Sequence, residues 1–259
     1  METITTETVR AETLDGGRIQ RVVLDAGKGN VIGMRVIRDL RDVLGRVSGA
    51  RQLCAIVLDH AGDHFSFGAS VDEHVPGQVE EMLPRFHALA REVLAARVPA
   101  LCAVRGMCLG GGLEVALLAD RVFAAPGAKL GQPELLLGVF APIGSALLPR
   151  RIGSFAAADL LLSGRVVGAE EARALGLVGE IAADPGAAAL AWARQHLAPK
   201  SASSLRYAAA AARLAWSEAF LADLARLEET YLTDLMATHD AREGIAAFLE
   251  KRKPSWTDA

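Results

Sequence analysis

Residues 8–25, TVRAETLDGGRIQRVVLD, place β-branched residues at sheet spacing on either side of Asp15-Gly16-Gly17, which predicts an opening hairpin. Lys28-Gly29-Asn30 ends the second strand. Ile32, Val36, Ile37, Leu40, Val43, Leu44 and Val47 then recur at helical spacing. Residues 53–59, LCAIVLD, form a short, nearly continuous apolar run, as expected of a strand covered on both faces, and the order β, α, β predicts a crossover unit. In residues 60–71, HAGDHFSFGASV, glycine and small residues interrupt the pattern beyond the carboxyl end of a strand, where open α/β sheets bind ligands. Phe65 and Phe67 are expected to anchor this loop while Gly68 and Ala69 present bare backbone; a plain surface loop is the alternative. Residues 79–97 read as an amphipathic helix with Leu83, Phe86, Leu89, Ala90, Val93 and Leu94 inward and Pro84 in its first turn. Residues 99–105, PALCAVR, form the next buried strand and lead into Gly110-Gly111-Gly112; residues 120–125 form another. From Ala156 onward the pattern is helical almost throughout, punctuated by Pro185, Gly186 and Pro199. Alternating βα units with a helical tail describe a core wrapped by helices, the tail being free to pack on neighbouring subunits.

Composition narrows this picture without changing it. A chain of 259 residues is near the upper limit for one core, which favours a single domain with an appended tail. With 51% hydrophobic and 23% charged residues it is an ordinary globular chain rather than a disordered one. No apolar stretch reaches the roughly 18–20 residues that span a bilayer, and METITTETVRAE lacks the apolar core of a signal peptide, so no membrane association and a cytoplasmic location are expected. The net charge of −3, with basic residues scattered, gives nucleic acid no electrostatic footprint. Cys54 and Cys102 lie in strand-like runs and read as buried thiols. Cys108 lies beside the glycines, but no nearby histidine is available to lower its pKa.

The candidate chemistry is concentrated in residues 106–134, GMCLGGGLEVALLADRVFAAPGAKLGQPE. Three glycines before a helix-forming run let the backbone approach a ligand closely, and the helix start leaves unpaired N–H groups that stabilise an oxyanion. Glu114 falls in the same first turn, at the positive end of the helix dipole. Taken alone, a glutamate there is commonly a dipole partner and nothing more. Glu134 precedes Leu135-Leu136-Leu137, where partial burial demands a partner or a raised pKa.

Together, GDHFSFGAS, VRGMCLGGGLEVALLADRVFAAPGAKLGQPE and the ending THDAREGIAAFLEKRKPSW resemble the enoyl-CoA hydratase/isomerase (crotonase) family over about residues 10–256. The resemblance implies an α/β fold: a crotonase-like spiral of ββα units over residues 1–195, then a helical C-terminal trimerisation region over residues 196–259. It implies a homotrimer or dimer of trimers, and an acyl-CoA substrate in which coenzyme A is part of the substrate, so that no separate cofactor and no metal is required. By the same resemblance the backbone N–H groups of Ala69 and Gly111 form the oxyanion hole. Glu114 helps take a proton from the attacking water, and Glu134 supplies one to carbon. Phe67, Gly68, Ser70, Gly110, Val139, Phe140 and Pro142 are then expected around the acyl group. Lys28 is a candidate contact for a coenzyme phosphate, and Phe248 with Lys251 matches a tail position that in relatives touches the coenzyme of an adjacent subunit; for either lysine taken alone a solvated surface side chain is the alternative. Having both glutamates favours hydration; isomerisation or thioester hydrolysis on the same oxyanion hole is the alternative, and a non-catalytic or RNA-binding relative a remote one. Two departures count against a simple short-chain substrate: Ser70 replaces a frequent aspartate, and GVFAPIGSALLPRR lacks the usual Pro-Gly-x-Gly-Gly. The loop FSFGASVDEHVPG with both glutamates is most similar to the cyclohexa-1,5-diene-1-carbonyl-CoA hydratases. That similarity implies addition of water to a cyclic conjugated diene at its far end, giving a hydroxycyclohexene-carbonyl-CoA.

Overall fold

The computed structural model describes residues 3–259. Strands β1 (Thr3–Thr5), β2 (Val9–Leu14) and β3 (Ile19–Leu24) form an antiparallel meander. Leu14 pairs with Ile19 across Asp15-Gly16-Gly17, where all three residues take left-handed backbone (φ 51°, 66° and 85°), a conformation that two glycines allow without a Cβ penalty.

From β3 onward each turn of a spiral gives one strand to a large sheet, one short extended segment to a second sheet, and then a helix. The first turn is β3, Ile32 and α1 (Met34–Ser48); the second is β4 (Ala55–His60), the 66–69 segment and α2 (Val79–Ala96). The third is β5 (Ala100–Val104), β6 (Met107–Leu109) and α3 (Gly111–Leu117); the fourth is β7 (Arg121–Ala124), β8 (Lys129–Gly131) and α4 (Pro142–Ile152). Then follow α5 (Ser154–Ser163), β9 (Val166–Gly168), α6 (Ala169–Leu175), β10 (Glu180–Ile181) and α7 (Pro185–His196). The large sheet has the order β1-β2-β3-β4-β5-β7-β10 and is parallel from β3 onward; the small one is β6-β8-β9. The bridges Ile32–Ala69 and Ser66–Cys108 align the first two loops with the small sheet. The ligand-facing loops of three successive turns therefore lie side by side.

The strands are covered on both faces, as their unbroken apolar runs require. Ile56 and Cys102 face the main core with α1 and α2, whereas Ala55, Val57, Leu101, Ala103 and Phe123 face α7. After α7 come the 28-residue helix α8 (Ala202–Glu229), a wide π turn at Thr230–Asp234, and α9 (His239–Leu249). Helix α8 is about 42 Å long and is held to the core by polar anchors. Arg213, buried, donates to both oxygens of Asp120 (2.9 and 2.6 Å) and to the Val98 carbonyl, and His87 meets Glu228 at 2.6 Å. Helix α9 packs against residues 71–74 and 134–137, so the tail folds back over its own chain's loops.

Three expectations change. Pro84 lies in the second turn of α2, because the helix starts at Val79 and its first bond runs from the Met82 N–H to the Gln78 carbonyl. The C-terminal part contains the strands β9 and β10, too short at three and two residues to show a period against flanking helices. Phe65 is fully buried and anchors its loop, but Phe67 is exposed and lies over Gly29, where an added Cβ would stand 2.2 Å from the Phe67 ring. Among the described residues no helix is long and apolar enough to cross a membrane.

Candidate active site

Gly110, Gly111 and Gly112 are each required for a different reason. Gly110 takes φ 49°, ψ −127°, and a Cβ there would come within 2.6 Å of Glu134 Oε1. A Cβ on Gly111 would stand 3.1 Å from the Ala69 nitrogen, and one on Gly112 would run into the buried Ser66 side chain at 2.6 Å. The chain thus brings α3 against the 66–69 segment, where Gly68 takes φ 110° beneath the Leu109 carbonyl. The bridge to Ile32 uses the Gly68 carbonyl and the Ser70 N–H, leaving the N–H of Ala69 between them unused. Among the described residues neither Ala69 N–H nor Gly111 N–H, the first of α3, has an acceptor. Two adjacent free N–H donors are the arrangement that stabilises an oxyanion.

Both N–H groups open into a cavity whose polar wall includes Glu114 and Glu134. Glu114 is buried at 4% exposure, and its carboxylate does not bond to its own helix start. It reaches across to the start of α4, where the Gly144 N–H donates to Oε1 at 2.7 Å and the Ile143 N–H faces the same group. Glu134 begins a short 3-10 turn (Glu134–Leu137) and keeps a partly exposed edge at the cavity, although protein surrounds it on nearly every side. Gln132, 1% exposed, holds it: with its amide nitrogen turned toward the glutamate, it donates to Oε1 (3.0 Å), to Oε2 (3.1 Å) and to the Gly110 carbonyl (3.2 Å). Replacing Gln132 by Leu should leave the fold intact and lower kcat by up to about tenfold with little change in KM, because a hydrogen bond to the protonated Glu134 contributes roughly 0.5–1.5 kcal/mol. Steady-state kinetics on the purified variant check this.

Burial pushes Glu114 up to about 7, an effect opposed by the two α4 N–H groups; burial and then repulsion from Glu114 push Glu134 up to about 8. Near neutrality the pair therefore shares a proton, which is the state needed for one base and one acid. Glu114, backed by the helix start, is the member more readily ionised.

The raised values also set the sign of a stability effect. The unfolded chain ionises these carboxyls near the ordinary glutamate value of about 4.3 while the folded chain still holds their protons, so stability falls as pH rises from there through 7 to 8. Glu114→Gln and Glu134→Gln should each melt a few degrees above the unmodified protein at pH 8, with the difference closing toward pH 4.5. Thermal scans across that range check it.

The remaining wall is mostly apolar. Val139, Phe140 and Pro142 line the cavity; Phe67, which turns outward, and Ser70, whose carbonyl is engaged by His74 Nδ1 at 2.7 Å, do not. Gly68 and Gly110 are not part of the wall and act on it only by letting the 66–69 segment, α3 and Glu134 approach closely. Lys28 and Lys251 are exposed and Phe248 is half-exposed, all away from its wall. Sequence reasoning missed His74, Phe86 and Tyr231, which come from the turn before α2, α2 itself and the C-terminal π turn. It also missed the role of Gln132, whose place in the quoted Gly-Gln-Pro-Glu run was the available signal. Cys108 is excluded as a nucleophile, because complete burial raises its thiol pKa and keeps it protonated. A larger cavity of about 430 Å³ lies between α1, α2 and the sheet. It is apolar, and its only ionisable side chains, Arg41 and Glu92, pair with each other, so it holds no acid or base free to react.

A spiral that sets a backbone oxyanion site beside two carboxyls poised near neutrality defines an enzyme class acting at an activated carbonyl. The chain belongs to the enoyl-CoA hydratase/isomerase family, whose model matches residues 17–259. It is 50% identical over 240 residues to a cyclohexa-1,5-dienecarbonyl-CoA hydratase of Thauera aromatica, covering 93% of each chain. It is 35% identical to a probable enoyl-CoA hydratase of Rhizobium meliloti, covering 95% of this chain and 96% of that one. Among solved structures, an enoyl-CoA hydratase/isomerase from Pseudoalteromonas atlantica superposes with a TM-score of 0.87 at 27% identity, over 97% of this chain and all of the other.

Proposed function

We propose that this protein is a hydro-lyase that adds water to a conjugated unsaturated acyl-CoA and prefers a cyclic dienoyl-CoA. The observation that carries the reading is the convergence of two buried carboxyls, both raised toward neutrality, with two unpaired N–H groups in one cavity. The thioester oxygen accepts from Ala69 and Gly111, which draws electrons from the conjugated carbon. Glu114 takes a proton as the water oxygen bonds to that carbon, and the electron pair moves to the thioester oxygen as an enolate. Glu134 then gives its proton to carbon. In a conjugated diene the enolate extends over the second double bond, so protonation at its far carbon leaves one double bond in the product.

The cyclic preference draws on three supports: the name carried by the 50% identical relative, the departures at Ser70 and after Glu134, and the broad apolar wall of Met82, Leu83, Phe86 and Phe140. The cavity, about 50 Å³, is smaller than a six-membered ring needs, so a ring enters by shifting flexible side chains, Met82 first. The deciding assay compares crotonyl-CoA with cyclohexa-1,5-diene-1-carbonyl-CoA on the purified protein. We expect kcat/KM at least tenfold higher for the diene; the opposite preference removes the cyclic assignment and leaves the hydratase one.

In the same reading the protein acts in the cytoplasm as a homotrimer or dimer of trimers, with residues 196–259 contributing to assembly. Two exposed apolar stripes support association: Phe155 and Leu162, seven residues apart on α5, and Tyr207 and Leu214, seven apart on α8. Lys28, and Phe248 and Lys251 reaching to an adjacent subunit, would contact the coenzyme.

A further inference from the structure

Tyr231 is the polar group of the cavity that the scheme above does not use. It is 1% exposed, lines the same wall as Glu114 and Glu134, and its hydroxyl has no hydrogen-bond partner among the described residues. A buried hydroxyl without a partner is costly and persists where a ligand supplies one. Its ring is fixed edge-on against Phe140, with centroids 5.4 Å apart, and against His74 at 6.4 Å. It stands in the π turn that interrupts the run from α8 into the C-terminal segment. Such turns re-aim side chains and are frequent at functional sites. The His87–Glu228 contact secures α8 just before it.

The ionisable groups sharing this cavity are Glu114, Glu134 and His74, and His74 is engaged through Nδ1 with the Ser70 carbonyl. Burial and both carboxylates raise the phenol pKa, so Tyr231 stays protonated and can donate. The chemistry of the substrate then identifies the acceptor. An unsaturated hydrocarbon acyl group has no polar atom beyond its thioester carbonyl, and that oxygen is taken by Ala69 and Gly111. The oxygen left is that of the water, which becomes the hydroxyl of the product.

We infer that the Tyr231 hydroxyl donates a hydrogen bond to the oxygen that enters the substrate, as water before the addition and as the product hydroxyl after it. Tyr231 is thereby the residue that distinguishes a hydroxylated acyl-CoA from its hydrocarbon counterpart. This assignment rests on the hydratase reading, which supplies the acceptor.

Calorimetry tests it without depending on turnover. In the Glu134→Gln background, which silences the reaction, two ligands are titrated with and without Tyr231→Phe: the hydroxycyclohexene-carbonyl-CoA product and cyclohexanecarbonyl-CoA, which has no hydroxyl. Phenylalanine keeps the ring and removes only the donor. The expected result is about tenfold weaker binding of the hydroxylated thioester, the scale of one hydrogen bond, with the other ligand changed less than twofold. Equal weakening of both would make Tyr231 a packing residue, and no change in either would leave it without a role at the oxygen; both results overturn the inference. If the discrimination is present but the unmodified protein hydrates neither crotonyl-CoA nor the diene, the hydratase reading fails and the Tyr231 contact stands.

Discussion

Glu114→Gln and Glu134→Gln are each expected to lower kcat by about 10²- to 10⁴-fold while KM changes less than threefold, the usual scale for loss of a general acid or base. Glutamine keeps the shape of the side chain but cannot move a proton. At position 114 it still offers an oxygen to the Gly144 N–H, so the start of α4 remains satisfied and the loss is chemical rather than structural. At position 134 the side chain stays beside Gln132, one amide facing another. Because the two groups act in successive steps, addition and then protonation, the slower step sets the rate and the double variant should fall little below the worse single variant. Steady-state kinetics of the three proteins measure this; a fully additive double loss would show that both glutamates act in one transition state. Near-normal activity in both single variants would remove them from the mechanism altogether.

Gly111→Ala is expected to cost about 10²- to 10³-fold in kcat with the fold retained, the scale seen for losing an oxyanion-hole donor. The position is the first residue of α3, with no left-handed backbone to strain, and alanine is a better helix former than glycine. Its Cβ, however, would stand 3.1 Å from the Ala69 nitrogen, in the space the thioester oxygen has to occupy. The neighbouring change provides the contrast. In Gly112→Ala the methyl would lie 2.6 Å from the Ser66 Cβ, inside packed protein, so the expected loss there is of stability. Melting curves beside kinetics separate the two: Gly111→Ala is inactive and stable, Gly112→Ala unstable. If Gly111→Ala retained full activity, the oxyanion would have to be held elsewhere.

Much of the fold can be read from the chain because its signals are local and strong. The Asp15-Gly16-Gly17 hairpin, the helical run from Val36 to Val47 and the apolar strands at 55–60 and 100–104 all lie where the pattern places them. What escaped is short or depends on distant contacts. Strands β9 and β10 are held by register with β8 and β7 rather than by any period of their own. Pro84 is a matter of where α2 begins, which Gln78 and Val75 decide through turn hydrogen bonds.

The site divides in the same way. Gly111, Glu114 and Glu134 lie within one stretch of sequence, and Ala69 in a loop marked by its small residues, so the residues could be named even though their pairing came from the family likeness. The partner of Glu114 could not, because a carboxylate at a helix start is expected to serve its own helix, and only the packing of α3 against α4 sends it to Gly144. Tyr231 lies nearly a hundred residues beyond Glu134 in a run whose period is disturbed by the π turn. It reaches the cavity only because the C-terminal helices fold back over it.

The most direct test of the central claim is the fate of oxygen from isotopically labelled water. When the purified protein converts an unsaturated acyl-CoA in ¹⁸O-water, one label should appear as a hydroxyl on a carbon of the acyl group, with the thioester intact, and Glu114→Gln should abolish its appearance. A double bond that moves without taking up label, or label found in a carboxylate beside free coenzyme A, would contradict hydration and assign the two carboxyls to isomerisation or hydrolysis instead.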